Sequence, residues 1–181
     1  SLHDALPIST NAQVTFNGTV NAEASEANTL TLSVGSSEVE FNGAVGGGTN
    51  GALGAITITG ALDLNAAITS AASLSVSGTS DLGANVTTSG TQTYTGNVTL
   101  SGGARTLTAS TVTTNGTIVG GSNALTITGN AVFGDGTADT VTGLTTLSVS
   151  GNTTIHTNTI TTTGTQTYGD NAASDTITLG N

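Results

Sequence analysis

One stretch of the chain occurs twice, and this repetition constrains the fold most. Leu74–Tyr94 reads LSVSGTSDLGANVTTSGTQTY, and Leu147–Tyr168 reads LSVSGNTTIHTNTITTTGTQTY. The offset between the two tyrosines is one longer than the offset between the two leucines, so the second copy contains a single insertion. Repetition of short strand-like segments at a long period, here about 73 residues, is typical of solenoids. We predict that the middle of each copy is a turn that tolerates this insertion.

The repetition extends beyond these two copies. The segment Val14–Val20 (VTFNGTV) recurs as Val39–Val45 (VEFNGAV) and more faintly as Val112–Ile118 (VTTNGTI). Phe41 and Thr114 are related by the same offset as Leu74 and Leu147. The Asn-Gly pair in each segment indicates a turn, because both residues tolerate positive φ. These pairs are Asn17-Gly18, Asn42-Gly43 and Asn115-Gly116.

Short segments in which Val, Ile or Leu alternates with Thr or Ser follow one another along the chain. Alternation at period two indicates strands, here at Leu30–Val34, Ala55–Thr59, Leu62–Leu64, Leu74–Val76, Val98–Leu100, Leu125–Thr128, Leu147–Val149 and Thr176–Leu179. No stretch has the apolar spacing of an amphipathic helix.

Such strands could pair as sequential antiparallel hairpins or stack one coil upon the next. Similar segments recur several strands apart, which favours stacking at about 4.8 Å between equivalent strands. We predict an all-β fold, a right-handed parallel β-helix of about 18 to 25 residues per coil. One period would then make three or four coils, and the chain about eight. The alternative is a β-sandwich or a tail-fibre-like β-rich module.

The opening segment, SLHDALPIST, does not match the rest. It contains the only proline, Pro7, and lacks Thr-x-Thr alternation. It resembles translated adapter sequence at the edge of an assembled reading frame, so we predict that residues 1–10 are not native. The alternative is a genuine capping segment, since terminal repeats are atypical. Residues 11–181 are predicted to form a single solenoid domain, a fragment of a longer array.

Composition excludes several functions. Eleven acids against one base, Arg105, give a formal charge of −10, which excludes phosphate neutralisation and hence nucleic acid binding. Docking on anionic lipid is disfavoured for the same reason. The chain has no cysteine, and no apolar run approaches a transmembrane helix in length, so we expect no membrane insertion.

The segment Gly90–Ile118, GTQTYTGNVTLSGGARTLTASTVTTNGTI, resembles the repeat region of large bacterial secreted adhesins. The nearest families are filamentous-haemagglutinin-like exoproteins and autotransporter passenger domains. The resemblance covers most of Val14–Asn181, and its most specific element is the GTQTY-x-G-x-VTL pattern around Tyr94. After Tyr168 the chain departs from that pattern, with GDNAASDTITL. The resemblance implies export to the bacterial surface or medium, a rod-like stalk and adhesion, and it implies no catalytic residues.

Two patterns could bind a ligand. Aspartates lie four or five residues apart in the Gly-rich segments Gly134–Thr140 and Gly169–Thr176, which distantly resemble calcium-binding repeats. The competing interpretation is that Asp135 and Asp170 make Asx turns. Thr-x-Thr triplets, which in flat register form ice-binding surfaces, occur unevenly along the chain, so a regular array is not expected. They include Thr57–Thr59, Thr126–Thr128 and Thr176–Thr178.

Single residues give weaker indications. His156 lies in the variable middle of the second copy without a partner that we can nominate, so we expect it on a turn rather than in a catalytic or metal site. Arg105 as an anion-binding residue is equally unsupported. Asn-x-Thr triplets match the glycosylation pattern, but chance explains them in a chain so rich in both residues; they begin at Asn17, Asn85, Asn97, Asn115 and Asn152.

These observations favour a structural repeat segment of a secreted or cell-surface adhesin. It would stack on flanking repeats of its own chain and contact a host-cell or extracellular glycan or protein. We expect no catalytic residue, metal or cofactor. One alternative is a β-helix enzyme acting on polysaccharide, which needs clustered carboxylates. The other is a calcium- or ice-binding solenoid module.

Overall fold

The computed structural model describes residues 5–49, 51–136, 138–170 and 174–180, and these form strands and turns without a helix. The alternating segments become sixteen strands: β1 (Ala5–Ser9), β2 (Val14–Phe16), β3 (Thr29–Phe41), β4 (Leu53–Leu64), β5 (Ile68–Val76), β6 (Ser80–Leu82), β7 (Val86–Thr88), β8 (Thr91–Tyr94), β9 (Val98–Leu100), β10 (Arg105–Thr114), β11 (Ile118–Phe133), β12 (Thr140–Val149), β13 (Thr153–Ile155), β14 (Thr159–Thr162), β15 (Gln166–Tyr168) and β16 (Ile177–Leu179).

Every strand pairing among these residues is parallel, and each pairing joins one coil to the next. The strands form three columns, which we call faces A, B and C in the order that the chain visits them. Longer strands bend at register shifts and contribute to more than one face. The prediction of an all-β parallel β-solenoid of about eight turns is confirmed. Face A contains β1, β3, β4, β5, β8, β10, β11, β13 and β16; face B contains β2, β3, β4, β6, β9, β11, β12 and β14; face C contains β5, β7, β10, β11, β12 and β15.

The core is a narrow stack of inward side chains, one layer per coil. On face A the paired inward positions are Leu32, Ile58, Val76, Tyr94, Thr114 and Phe133, all buried. Each fully buried Leu, Ile or Val contributes roughly 1.5–3 kcal/mol relative to exposure. At the first coils of face B, the rings of Phe16 and Phe41 stack with centroids 5.0 Å apart. Leucine, isoleucine and valine suit this interior because it has room for little more than one side chain per position.

The two copies of the repeated stretch lie on different faces. Leu74–Val76 pairs within face A, whereas Leu147–Val149 pairs within face C. The tyrosines follow the same shift, with Tyr94 on face A and Tyr168 on face C. The repeat period is therefore not a whole number of coils. It spans three complete coils and then continues over two more faces, from face A to face C.

The inserted residue lies in a corner. Inward Leu82 and Ile155 are equivalent in the two copies, but the next inward residues are Val86 and Ile160. The extra residue is thus accommodated between β13 and the inward position of β14, which confirms the predicted turn. His156 directly follows β13 at this corner and is half-buried. It is not at an inward strand position, which is the placement that would have contradicted the predicted phase of the repeat.

The segment that differs in composition joins the fold. Ala5–Ser9 forms β1 and pairs in register with β3, from Ala5 beside Thr29 to Ser9 beside Ser33. Thr10 N–H also donates to the Ser33 carbonyl at 2.9 Å. This pairing agrees with the alternative of a capping segment. That residues 1–10 are not native stays a prediction, and residues 1–4 lie outside the described ones.

The Asn-Gly pairs form corners as predicted, but for a different reason. Positive φ occurs at other glycines and at two serines, and not at Gly18, Gly43 or Gly116. Glycine is needed instead because successive corners pack closely. A Cβ built on Gly43 would lie 2.2 Å from the Gly18 carbonyl oxygen in the coil before, and one on Gly116 would lie 2.7 Å from Asn97 Oδ1. No other residue fits such a contact without moving the stack.

Substitution of these glycines shows whether they are required for close packing between coils or for backbone conformation. We expect Gly43→Ala to lower the free energy of unfolding by about 1–3 kcal/mol, because the methyl group forces two coils apart. Gly18→Ala is the matched control, since a Cβ there meets nothing within 4 Å. It should leave stability unchanged or raise it by up to about 1 kcal/mol by restricting the unfolded chain. Urea unfolding followed by circular dichroism measures both, and equal losses would contradict the close-packing explanation.

Candidate functional site

Three carboxylates stack on the outer side of face B, and we call this set the acid ladder. Glu40 pairs with Asp63, and Asp63 pairs with Asp81 in the next coil. Paired residues on neighbouring parallel strands are about 4.8 Å apart at the backbone, so three like charges follow one line. Local donors offset part of the repulsion: Thr15 Oγ1 donates to Glu40 at 3.0 Å and Ser101 Oγ to Asp81 at 2.5 Å.

Sequence reasoning missed this ladder, because its members lie far apart along the chain and at unequal intervals. Only the register between coils brings them together. Burial raises the pKa of Asp63 above its ordinary value, and the charges of Asp81 and Glu40 raise it further, against an opposing hydrogen bond from Asn65. Because the folded state holds this proton more tightly, the contribution of Asp63 to stability rises as the pH falls through the range above 3.8.

This shift predicts the effect of removing the central charge. At pH 7 we expect Asp63→Asn to be more stable than the parent by less than about 1 kcal/mol, since the group is near the surface and solvent screens it. The difference should shrink at acidic pH, where Asp63 in the parent becomes protonated. Glu23→Gln, an exposed acid outside the ladder, controls for net charge. Denaturant unfolding at both pH values gives the comparison, and a destabilised Asp63→Asn at pH 7 would contradict it.

Face A carries a line of hydroxyl groups on its outer side, which we call the hydroxyl ladder. Eight successively paired outward positions hold seven hydroxyl residues and one valine: Thr31, Thr57, Ser75, Thr93, Thr113, Val132, Thr154 and Thr178. The uneven spacing of the Thr-x-Thr triplets along the chain does not break this ladder, because the corner loops absorb the differences. Two of the three triplets, around Ile58 and Ile177, lie on face A, and the third, around Ile127, lies on face C.

The two Gly-Asp turns are closed by hydrogen bonds between their own aspartates. Asp135 N–H donates to Asp139 Oδ2 at 3.3 Å, and Asp170 N–H donates to Asp175 Oδ2 at 2.9 Å. Turn closure by aspartate was predicted, but the accepting carboxylate belongs to the second aspartate of each turn. Within the described ranges, no group of three or more His, Asp or Glu side chains is placed to hold a metal ion.

Arg105 is the only arginine, and its guanidinium is directed inward. Nε donates to the Leu82 carbonyl and Nη1 to the Ala104 carbonyl, both at 2.8 Å, and Nη2 donates to the Ser101 carbonyl. The residue is 9% exposed. It ties the ends of two successive face B strands to the start of β10. Since its donors are used in this way, it is a structural residue and not an anion-binding one.

The asparagines of the Asn-x-Thr triplets join coils. The side-chain oxygens of Asn85, Asn97 and Asn152 each accept a backbone N–H at or just before the start of a strand one coil later, at 2.9–3.0 Å. Asn42 Nδ2 donates to Asn17 Oδ1 at 3.1 Å, and Asn65 Nδ2 donates to Asn42 Oδ1 at 3.0 Å. Corner N–H groups that no strand can satisfy thus find an acceptor.

The shared GTQTY ending builds the same hydrogen-bond network in both copies, which we call the closing network. In the first copy Gln92 Nε2 donates to the Val86 carbonyl at 3.2 Å and to Thr88 Oγ1 at 3.4 Å. Tyr94 Oη donates to Gln92 Oε1 at 3.1 Å. Burial raises the pKa of Tyr94, so its hydroxyl stays a donor at physiological pH. The repeated letters could have indicated this network, but not its inward orientation.

The second copy repeats these three bonds, whereas Gln92 Nε2 in the first copy also donates to the Thr108 carbonyl of the next coil at 2.9 Å. Gln166 Nε2 donates to the Ile160 carbonyl and to Thr162 Oγ1, both at 3.3 Å, and Tyr168 Oη donates to Gln166 Oε1 at 2.9 Å. In the first copy Gln92 is fully buried and needs such partners, because an unsatisfied buried amide is costly. The GTQTY motif therefore forms the same local hydrogen bonds on face A and on face C.

No protein-family model matches the chain, and no curated protein or solved structure is significantly similar to it. In the described part of the chain, no helix has the length and apolar character needed to span a membrane. Function is therefore inferred from the surfaces of the solenoid itself.

Proposed function

We propose that the chain is a structural repeat segment of a bacterial adhesin that is secreted or held at the cell surface. It acts as a rigid stalk and presents an adhesion surface to a host-cell or extracellular glycan or protein. The observation that carries the proposal is the continuous parallel register, from β1 to β16 on face A, without a break between coils.

Register of this kind suits a stalk for a physical reason. Each coil contacts only its neighbours, so a solenoid lengthens by about 4.8 Å per coil without changing its cross-section. Flanking repeats of the same chain could extend the rod at either end. Outward hydroxyl and amide side chains, such as Thr57, Thr99 and Asn97, can form hydrogen bonds with sugar hydroxyls. Stability comes from stacking, with no cysteine available for disulfides.

Binding of the purified chain to candidate ligands tests this proposal. Small-angle scattering should show an elongated particle, and labelled protein should bind saturably to at least one class of extracellular glycan or matrix protein. Three lysine variants map the face used: Thr57→Lys on face A, Thr99→Lys on face B and Thr128→Lys on face C. We expect one of them to weaken binding about tenfold. Turnover of a polysaccharide by the folded chain, without saturable binding to any ligand, would favour the enzyme alternative.

A second candidate function is ice binding, which the hydroxyl ladder favours. Coils repeat at about 4.8 Å, and alternate residues of one strand at about 6.6 Å, so hydroxyls on face A form a two-dimensional array. Neighbouring outward positions add a second row, for example Thr59 beside Thr57 and Ser33 beside Thr31. Val132 is the one interruption in the main row.

Thermal hysteresis measures the second candidate directly. The parent chain should hold ice growth below the melting point, and Thr93→Tyr, at the middle of the hydroxyl ladder, should abolish this effect by breaking the flat array. Thr99→Tyr, which faces outward on face B, is the matched control and should retain it. Equal activity in both variants, or none in the parent chain, would exclude face A as an ice-binding surface.

A further inference from the structure

The central part of the hydroxyl ladder presents hydroxyl groups at regular intervals. Four successive coils each contribute one outward hydroxyl in register, and the last two contribute a second one two residues earlier. We call this set the neutral strip: Thr57, Ser75, Thr93 and Thr113, with Thr91 and Thr111 beside them. All six are at least partly exposed. With about 4.8 Å between coils, the strip extends for about 14 Å along the axis.

The hydroxyls of the neutral strip are free to bind a ligand. Within the described part of the chain, none of these six side chains forms a hydrogen bond. At face B, by contrast, Thr15 and Ser101 donate to carboxylates of the acid ladder. At face C, Thr69 and Ser150 are bonded to backbone groups of the adjacent coil. A ligand on the neutral strip therefore displaces water without breaking a bond inside the protein.

The surroundings of the neutral strip limit the charge that a ligand can carry. The described outward residues of face A include no Asp, Glu, Lys or Arg. From Leu82 to Gly134, a segment that contains β7 to β11, the chain has no acid, and its one base, Arg105, is buried. An anionic ligand finds no counter-charge here and is repelled by the net charge of −10. A cationic ligand finds its counter-charge at the acid ladder on face B instead.

The neutral strip also lacks the side chains on which protein–protein contacts depend. Such contacts use aromatic and large apolar residues as anchors, and the strip contains only threonine and serine. It offers hydrogen-bond donors and acceptors that recur at equal distances. A ligand with hydroxyl groups at regular intervals matches this pattern, and an extended polysaccharide is such a ligand.

We propose that the neutral strip binds an uncharged, extended polysaccharide that lies along the solenoid axis. Hydroxyls of the glycan exchange hydrogen bonds with the threonine and serine hydroxyls of successive coils. Each such bond contributes little net free energy, so the affinity depends on several coils being engaged at once. This inference rests on the proposed adhesin function, and it narrows the ligand to one chemical class and the adhesion surface to face A.

Isothermal titration with soluble glycans tests the ligand class. The probes are uncharged oligosaccharides of β-glucan, xylan, mannan and galactan, each as a series of increasing length, and oligogalacturonate as the anionic counterpart. The folded parent chain should bind at least one uncharged series, with an affinity that rises with length until the glycan spans the four coils. It should not bind oligogalacturonate. Binding of oligogalacturonate alone, or of none of these probes, would overturn the proposal.

Variants of similar side-chain shape locate the contact. Thr93→Val and Thr113→Val each remove one hydroxyl of the neutral strip, so each should weaken binding about two- to tenfold. Thr128→Val, at an exposed outward position on face C, is the matched control and should bind like the parent. Melting curves followed by circular dichroism establish that the variants are folded. Equal losses in all three variants would overturn the assignment to face A.

The outcomes separate this inference from the proposed function. Saturable binding to a matrix protein and to none of the glycans, weakened by Thr99→Lys or Thr128→Lys but not by Thr57→Lys, would overturn the inference and leave the adhesin proposal intact. Absence of binding to every glycan and protein would overturn both. Thermal hysteresis in a chain that binds none of the glycans would overturn the inference in favour of ice as the ligand of face A.

Discussion

The parallel backbone ladder between successive coils is the interaction on which the structure depends. A single coil has its N–H and C=O groups directed up and down the axis, so it can satisfy them only through its neighbours. The corners must then approach as closely as the strands do. Glycine at Gly43 and asparagine at Asn97 meet this requirement in different ways, one by removing its side chain and the other by accepting an N–H from the next coil.

The fold was predictable from the sequence because its signals are local. Alternation indicated the strands, the long repeat indicated stacking, and the mismatch between copies located a corner insertion beside His156. The reason given for glycine at the Asn-Gly corners was wrong, because φ at Gly43 is not positive. Glycine is required there because the Gly18 carbonyl, one coil earlier, leaves no room for a Cβ.

The surfaces were much less predictable, because they depend on register between coils. The chain takes a longer path from Leu32 to its partner Ile58 than from Ile58 to the next partner, Val76. Loops of different length between the strands accommodate the difference, and the composition of the chain does not predict these lengths. The acid ladder and the hydroxyl ladder of face A appear only when these lengths are known. The closing network was partly predictable. The GTQTY sequence that forms it is repeated, but the burial of Gln92 depends on the coil that packs over it.

Arg105 has a consequence for the outside of the rod. Its guanidinium is used by carbonyl groups inside the solenoid, and the chain has no lysine, so no Lys or Arg side chain offsets the acids on the surface. Two such rods lying side by side repel each other along their length, within a distance of about 10 Å at 0.1 M salt. The burial of the one cation thus leaves all charge on the sides of the solenoid acidic and disfavours lateral bundles.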